Sequence, residues 1–464
     1  MILLLPLSFA KCMFMNKTLI HIYIVTLSVA LLLSSCVDSL HQLDFQHTTS
    51  TANGHPASDR VVSQESRKVL LLYSAGFNSL SAYLKQDIDD LKKGYLPDSK
   101  RNDDVMLVYS HLPEKSSAYG TETSPVLMRL YKSPEGEVVT DTLVVYEKGT
   151  ISASARHFRE VLTFVKDEFP ARSYGMIVSS HATGYLPAGY YSTPDKYESY
   201  EIMAARRMSA GLDPVPVPYV EPEHDPSLPA VKSIGQTVSG LGTSAVSYEM
   251  DLVDFAAAIP MKMDYILFDA CLMGGIEVAY QLRNVCDLVG FSQAEVLAEG
   301  LNYSTLTEHL LKSEDPLPEK VCRDYFDQYD TQSGVMRSAT ISMVDCTRLE
   351  PLAQKCCQLF AEYYDNIHSM NHSKVQRFYR SNYHWFYDLE SILANAGCTK
   401  EEMDELRSVI GDCVIYKAHT DSFMNSFSIN VFSGFSMYLP SNSGKRLKEY
   451  YRTLDWNEAT GLVR

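Results

Sequence analysis

Two residues separated by 90 positions have side chains suited to nucleophilic catalysis. Cys271 follows the short apolar run Tyr265–Phe268, and His181 follows a similar run in "YGMIVSSHATGY". Short apolar runs with aromatic or branched residues are typical of buried strands. A thiol beside a histidine that can take its proton is the arrangement of a cysteine nucleophile and its general base. The alternative is that Cys271 is a small buried apolar residue and His181 is structural.

The residues after Cys271 predict that the thiol lies just before a helix. The apolar residues that follow it have helical spacing: Leu272, Ile276, Ala279, Tyr280 and Leu282. Unpaired N–H groups and the helix dipole stabilise a thiolate at a helix N-terminus. We therefore expect Cys271 between the carboxyl end of a strand and the start of a helix.

Asp269 lies two residues before Cys271. Side chains at positions i and i+2 of a strand point to the same side, so Asp269 should flank the thiol. Its negative charge would raise the pKa of the thiol, which works against catalysis. A role toward the substrate explains a carboxylate here better. The alternative is that Asp269 caps the following helix or accepts hydrogen bonds from loop amides.

Composition limits the class of protein. The chain has 464 residues, a formal charge of -16 and 45% hydrophobic residues, which suits a soluble globular protein of one large or two modest domains. The acidic excess argues against nucleic acid as a partner. Eight of the ten cysteines lie between Cys271 and Cys413, with no C-x-x-C pair and no regular spacing. Neither a disulfide scaffold nor a zinc site is indicated, although one or two disulfides remain open.

Residues 1–35 predict an export signal. Their only charges are Lys11 and Lys17, and the apolar run Ile20–Leu33 is too short for a transmembrane helix. The run ends in "LSSC", which resembles the bacterial lipobox, so Cys36 is the predicted lipidation site. Residues 36–66 are polar without periodicity and predict a flexible tether. We expect an exported protein anchored by lipid in the bacterial cell envelope, at the outer membrane or cell surface. The alternative is an ordinary cleaved signal with a chance cysteine.

The order of elements after the tether predicts an open, largely parallel α/β sheet. Strand patterns at Val69–Tyr73, at Val105–Tyr109 and before His181 alternate with helical patterns. In such sheets the ligand crevice lies beyond the carboxyl ends of the strands. His181 and Cys271 both follow such ends, and they become neighbours if their two strands are adjacent.

Five segments resemble motifs of the clostripain family of cysteine peptidases. In family order they are "SSHATGY", "FDACLMGGIEVAY", "FSQAEVLAEGLNY", "YDLESIL" and "GFSMYLP". The resemblance implies a caspase-like α/β fold, a mostly parallel sheet with helices on both faces, in a catalytic domain at 67–310. It also implies an α+β C-terminal subdomain at 311–464. There the patterns predict helices at Leu349–Tyr363, Val375–Ala396 and Glu401–Val414.

The resemblance also implies roles for single residues. Cys271 would be the nucleophile, and His181 the base that takes its proton and later protonates the leaving amine. The backbone N–H groups of Cys271 and Ala182 would form the oxyanion hole. Asp269 would lie in the pocket for the residue before the scissile bond, which is Arg or Lys in the substrates of family members. Some relatives require Ca²⁺, but the sequence has no EF-hand loop and no assignable ligands.

Two departures from the family pattern leave other functions open. The family usually has His-Gly-x-Gly where this chain has His181-Ala182-Thr183-Gly184, and alanine resists a positive φ. If the position of Ala182 needs a positive φ, the oxyanion hole is distorted. Phe77 stands at a position where the family pattern has an acidic residue. One alternative is a non-catalytic surface lipoprotein that binds peptides or a partner, and another is a peptidase with a different preference in which Asp269 is structural.

The segment between the His181 and Cys271 motifs predicts an exposed loop at about 190–235. It contains six prolines from Pro214 to Pro229 and few apolar clusters. Family members are often processed by cleavage between these motifs, which frees a blocked cleft. We therefore expect self-processing at a basic residue of this segment, and the candidates are Lys196, Arg206, Arg207 and Lys232.

Overall fold

The computed structural model describes residues 67–98, 103–115, 121–191, 213–214, 216–218, 227–231, 237–239, 245–381 and 384–464. Several predicted features lie outside these residues: the signal, the tether, the lipidation residue Cys36, and the cleavage candidates Lys196, Arg206, Arg207 and Lys232. Within the described ranges, no helix is both long and apolar enough to span a membrane.

A nine-stranded sheet forms the centre of the described chain. Its strands are β1 (Lys68–Ala75), β2 (Val105–His111), β3 (Val126–Lys132), β4 (Val138–Val145), β5 (Ser173–Ser179), β6 (Met263–Asp269), β7 (Cys286–Phe291), β8 (Thr340–Asp345) and β9 (Val414–His419). Their spatial order is β9-β8-β7-β6-β5-β1-β2-β3-β4. The five strands from β7 to β2 run parallel, whereas β3, β4, β8 and β9 pair antiparallel at the two edges. The predicted mostly parallel sheet is confirmed.

Eleven α-helices are present in the part of the chain that the structure describes. They are α1 (Ser81–Leu91), α2 (Ala155–Glu168), α3 (Leu252–Ala258), α4 (Ile276–Leu282), α5 (Pro318–Asp330), α6 (Glu350–Glu362), α7 (Tyr364–Ser369), α8 (Leu389–Ala396), α9 (Lys400–Cys413), α10 (Lys445–Tyr451) and α11 (Asp455–Thr460). Short strand pairs join Tyr387–Asp388 to Ser436–Met437 and Ser422–Phe423 to Phe427–Ser428. Single turns of other helix types lie at Glu308–Lys312, Gly334–Met336, Cys346–Arg348, His372–Lys374 and Pro440–Asn442.

Helices cover both faces of the sheet. On one face, Phe158 of α2 packs against Tyr73 of β1, and Phe255 of α3 packs against Phe268 of β6. Helix α5 packs on the opposite face. Its residue Cys322 lies so close to Gly290 of β7 that a Cβ at Gly290 would contact both Cys322 and Leu267 of β6. The start of α2 follows from its sequence, since the Ser154 hydroxyl accepts a hydrogen bond from the His157 N–H. The hydrophobic core therefore lies between the central sheet and the helices that pack on each of its two faces.

Two local predictions were wrong. The helix after Cys271 begins at Ile276, not at Leu272. Of the helix predicted over Val375–Ala396, only Leu389–Ala396 is an α-helix, and the described residues before it form bends and extended chain. Within the 190–235 segment, Pro216–Pro218 pairs with Val246–Tyr248, which also pairs with Thr237–Ser239, and the side chain of Val217 is buried. The exposure of that segment as a whole stays a prediction.

The main sheet continues past residue 310. Strands β8 and β9 come from the C-terminal region, and β8 pairs directly with β7. The edge of the sheet next to the predicted site is therefore completed by residues that follow the predicted catalytic domain.

Candidate active site

The ends of β5 and β6 bring the two predicted residues to the same edge of the sheet. The strands are adjacent and parallel, and Ser179 lies opposite Asp269 in their register. His181 and Cys271 each follow two residues later, so they lie at equivalent positions beyond neighbouring strand ends. Both side chains are buried, with 6% of His181 and 0% of Cys271 exposed. The condition under which the sequence analysis made the two residues neighbours, the adjacency of their strands, is therefore met.

A loop, not a helix N-terminus, contacts the Cys271 thiol. The Val296 N–H donates to the sulfur at 3.1 Å, and the Val296 carbonyl oxygen lies 3.7 Å from it. The chain turns sharply after the cysteine because Leu272 adopts φ 62°, and α4 begins only after Gly275. An N–H directed at sulfur favours the thiolate in the same way as the predicted helix terminus would.

The His181 loop and the Cys271 loop meet at Gly184. This glycine adopts φ +62°, and a Cβ there would lie 2.5 Å from the Leu272 carbonyl oxygen. Both the conformation and the close approach therefore require glycine. Ala182 is not among the residues with positive φ, so alanine fits this backbone position without strain. The departure from His-Gly-x-Gly does not distort the turn.

Ser79 and Phe77 come from the loop after β1. The Ser79 hydroxyl lies 3.2 Å from His181 Nε2, so its side chain contacts the predicted base. Phe77 stacks on His111 with ring centroids 4.7 Å apart, and its carbonyl accepts from the Val238 N–H at 3.0 Å. Phe77 thus has a packing role where the family pattern has an acid.

Asp269 is a fully buried carboxylate beside the thiol. Its Oδ2 atom accepts hydrogen bonds from the Ser179 hydroxyl at 3.1 Å and the Tyr303 hydroxyl at 2.7 Å. Burial raises the pKa of Tyr303 well above its ordinary value, and the charge of Asp269 raises it further. Tyr303 therefore remains a neutral donor to the carboxylate. Hydroxyl donors orient this charge without neutralising it, which suits a pocket that receives a cation.

Part of the segment between the motifs lies along the same edge. Val231 forms an antiparallel bridge with Leu297, and the Ala298 N–H donates to the Ala230 carbonyl at 2.9 Å. Leu297 directly follows Val296, the residue whose N–H contacts the thiol. The described residues Ala230 and Val231 thus pair with the chain that borders Cys271.

Sequence reasoning missed Ser179, Tyr303, Val296 and Ser79. Ser179 could have been found, because it stands two residues before His181 just as Asp269 stands two residues before Cys271. Val296 and Tyr303 lie in the segment "FSQAEVLAEGLNY", whose resemblance to a family motif could have pointed to them, whereas Ser79 approaches the site only through long-range folding.

A cavity of about 110 Å³ lies on the α2 and α3 side, lined by His181, Ala182 and apolar residues such as Phe158 and Phe268.

The thiols and acids form no metal cluster in the part of the chain that the structure describes. No group of three or more His, Cys, Asp or Glu side chains there is arranged to hold an ion, and so ligands for Ca²⁺ remain unassigned.

The eight cysteines from Cys271 to Cys413 are all free thiols.

Comparisons with known proteins concern the family and the fold of the chain. The model of the clostripain family matches residues 246–461, which include Cys271 and Asp269. A search of curated protein sequences found no match. Among solved structures, an inactive zymogen C11 protease from Parabacteroides distasonis has a TM-score of 0.65 at 24% identity, covering 86% of this chain and 99% of that one.

Two further structures come from Bacteroides thetaiotaomicron. A secreted C11 cysteine protease called iotapain has a TM-score of 0.64 at 21% identity. A secreted C11 cysteine protease in complex with an irreversible peptide inhibitor has a TM-score of 0.63 at 22% identity. Each covers 85% of this chain and 99% of its own. At these identities the likeness concerns the fold, which is the caspase-like fold of C11 proteases. The chain thus has the fold of C11 proteases, and its residues 246–461 match the clostripain family of cysteine peptidases.

Proposed function

We propose that the chain is an endopeptidase that cleaves after Arg or Lys, with Cys271 as nucleophile and His181 as general base. The observation that carries the proposal is the register of β5 and β6, which puts both residues beyond adjacent strand ends. His181 takes the thiol proton, and the thiolate attacks the scissile carbonyl carbon to form a tetrahedral intermediate. The N–H groups of Cys271 and Ala182 hold its oxyanion. His181 then protonates the leaving amine, and water hydrolyses the resulting thioester.

Asp269 supplies the preference for a basic residue. Its buried carboxylate lies on the strand that leads to Cys271 and is oriented by the hydroxyls of Ser179 and Tyr303. A cation that enters such a site exchanges water for a charge-assisted contact in a low dielectric, whereas a neutral side chain displaces water without supplying an opposite charge. Discrimination therefore comes from the penalty on neutral residues as well as from attraction to Arg and Lys.

Hydrolysis of matched peptides tests this proposal. Peptides that end in Arg, Lys, Asp, Asn or Leu before a fluorophore are incubated with the mature domain and with its Cys271→Ala variant. We expect cleavage after Arg and Lys that the variant lacks. Cleavage only after Asp, Asn or Leu would refute the basic preference. No turnover by intact or trypsin-nicked protein would refute catalysis and favour the peptide-binding alternative.

The pairing beside the thiol supports self-processing at Lys232. Ala230 and Val231 pair antiparallel with Leu297 and Ala298, as a peptide substrate would pair along a strand edge. Lys232 is the next residue in the sequence. The complete burial of Cys271 supports a blocked cleft in the intact chain. Of the four candidates, we propose that Lys232 is the residue after which the chain is cut.

Single substitutions separate the four candidate residues. We expect Lys232→Ala to stay one chain, as Cys271→Ala does, while Lys196→Ala, Arg206→Ala and Arg207→Ala are processed normally. Mass spectrometry of each purified protein locates the new terminus. Normal processing of Lys232→Ala would refute the assignment, and an intact wild-type chain with full activity would refute self-processing itself.

Export and lipid anchoring at Cys36 complete the proposal. The chain shares its fold with a secreted protease, and "LSSC" at residues 33–36 resembles a lipobox. A lipid anchor would hold the catalytic domain at the cell envelope through the tether. Cys36→Ala should release the protein from the membrane fraction, and continued membrane association would refute the anchor.

A further inference from the structure

The proposed base, His181, has a side-chain partner in the loop between β1 and α1. The Ser79 hydroxyl lies 3.2 Å from its Nε2 atom, although the two residues are 102 positions apart in the chain. Helix α1 begins without a side-chain cap, so this hydroxyl is not used to start the helix. Ser79 itself is exposed, and its side chain therefore does not fill a space in the core. The hydroxyl is available for a role toward the imidazole ring.

The residue before each partner holds this contact in place. Asn78, which is fully buried, donates from Nδ2 to the Ala75 carbonyl oxygen at 3.1 Å. The Ser180 hydroxyl donates to the same oxygen at 2.9 Å. Asn78 directly precedes Ser79, and Ser180 directly precedes His181. One carbonyl at the end of β1 therefore binds both loops next to the point where the hydroxyl meets the ring.

The order of the strands indicates which ring nitrogen is left for the thiol. Strand β5 lies between β6 and β1 in the sheet. His181 follows β5, so Cys271 after β6 is on one side of it and Ser79 after β1 is on the other. The two nitrogens of an imidazole ring point in different directions, and Nε2 is the one near Ser79. Nδ1 is therefore the nitrogen that remains to take the thiol proton.

A base needs a lone pair on the nitrogen that takes the proton. Only one nitrogen of a neutral imidazole carries a hydrogen, and the hydrogen bond made by one nitrogen decides the state of the other. If Nε2–H donates to the Ser79 oxygen, Nδ1 keeps its lone pair. If the hydroxyl donated to Nε2, the hydrogen would be on Nδ1, which could not accept a second one. Once the ring is protonated, the bond from Nε2–H becomes charge-assisted and stronger.

We propose that Ser79 is a positioning residue that accepts a hydrogen bond from His181 Nε2–H and so holds the ring with Nδ1 available to the Cys271 thiol. This inference rests on the proposed function of His181 as general base. The role corresponds to that of the third residue in Ser-His-Asp triads, taken here by a neutral hydroxyl. A hydroxyl adds no second negative charge to a site in which Asp269 already disfavours the thiolate.

Peptidase kinetics on an Arg peptide test the proposal. We expect Ser79→Ala to lower kcat by about 10-fold or more with little change in KM, because the lost hydrogen bond is strongest when the ring is charged. Ser79→Thr keeps the hydroxyl and should recover most of this loss. The matched control is Ser373→Ala, an exposed serine whose hydroxyl donates to Asn371 Oδ1 at 2.8 Å, and its kcat should equal that of wild type. An unchanged kcat in Ser79→Ala, or equal losses in Ser79→Ala and Ser79→Thr, would overturn the proposal.

Nuclear magnetic resonance of the ring nitrogens provides a readout that does not depend on activity. In isotope-labelled Cys271→Ala, the His181 signals are those that disappear when His181→Gln is added. We expect the hydrogen on Nε2, with an N–H signal that is protected from exchange with water and is lost when Ser79→Ala is added. A hydrogen on Nδ1, or a protected signal that persists without the Ser79 hydroxyl, would overturn the proposal. Failure of the proposed function is a separate result, because it appears as peptidase activity that survives in Cys271→Ala or as no turnover by wild type.

Discussion

At the scale of single residues, the proposed specificity and the geometry of the site involve two positions, Asp269 and Gly184. Asp269 provides a buried charge, and Gly184 provides a backbone conformation that closes the two loops on each other. Neither residue takes a bond-breaking role in the proposed reaction. Each residue can therefore be substituted without removing the nucleophile or the base. Substitution of Asp269 tests recognition of the substrate, and substitution of Gly184 tests the positioning of the two loops.

Asp269→Asn should lower kcat/KM for Arg and Lys substrates by about 100-fold or more, because a desolvated charge pair with the substrate is lost. Asparagine has the same shape and can still accept hydrogen bonds from Ser179 and Tyr303. Steady-state kinetics on Arg, Lys and Leu peptides measures the change, with Asp287→Asn, an exposed partner of Lys262, as the control. An unchanged ratio of Arg to Leu cleavage would show that Asp269 is structural.

Gly184→Ala should impair both activity and stability. Its Cβ would lie 2.5 Å from the Leu272 carbonyl oxygen at φ +62°, so the turn beside Cys271 must shift. Misplacement on that scale costs about 100-fold in rate. Gly136→Ala is the matched control, since it also has positive φ, +89°, but no heavy atom within 4 Å of the added Cβ. It should lose only about 1–2 kcal/mol of stability and keep its activity. Equal behaviour of the two variants in thermal unfolding and peptide assays would contradict the argument.

At the scale of elements, strands were predicted better than turns. The apolar runs before His181 and Cys271 predicted two strands, because continuous burial on both faces leaves a local pattern, but only the structure shows that the strands are adjacent. The start of α4 was misplaced because Leu272 fits the helical period, yet Gly274 and Gly275 interrupt it. The ion pair between Glu295 and Arg380 spans 85 residues and had no local signal at all. Contacts of that kind are set by how the C-terminal region folds back on the sheet.

Helix α4 carries a buried acid that should make stability depend on pH. Glu277 is fully buried and accepts hydrogen bonds at Oε1 from the Tyr438 N–H at 2.8 Å and the Tyr451 hydroxyl at 2.7 Å. Burial raises its pKa from 4.5 to about 7, although these hydrogen bonds oppose the shift. The folded state therefore favours the protonated acid. Its contribution to stability is complete below about pH 4.5 and is lost as the pH rises through about 7.

Glu277→Gln should remove this loss while keeping an acceptor for both donors. Relative to wild type, the variant should gain stability between pH 4.5 and about 7, by a total on the order of 3 kcal/mol. Urea unfolding at several pH values measures the difference, with Glu401→Gln on the exposed surface of α9 as the control. A difference between wild type and Glu277→Gln that does not vary with pH would contradict the shifted pKa.

At the scale of the whole molecule, the site is assembled from three distant regions of the chain. The His181 loop and the loop after β7 are joined by residues from the C-terminal region, which follows residue 310. A Cβ at Gly184 would meet Phe386 at 3.2 Å, the Tyr185 hydroxyl donates to the Trp385 carbonyl, and Arg380 binds Glu295. The same region supplies β8 and β9, which complete one edge of the sheet. Both core and site therefore depend on residues outside the predicted catalytic domain.

A fragment of residues 67–310 should consequently fail to fold. Without β8, strand β7 loses the hydrogen-bonding partner of Leu288 to Phe291, and its unpaired edge becomes a site for aggregation. Buried residues that pack on the missing helices, such as Tyr280 against Trp456, would face water. We expect the fragment to be insoluble or to melt without a cooperative transition, whereas residues 67–464 unfold cooperatively in calorimetry. A soluble fragment with a sharp transition would show that 67–310 is an independent domain. If that fragment also cleaved Arg and Lys peptides, the C-terminal contacts to the two loops would be dispensable for catalysis.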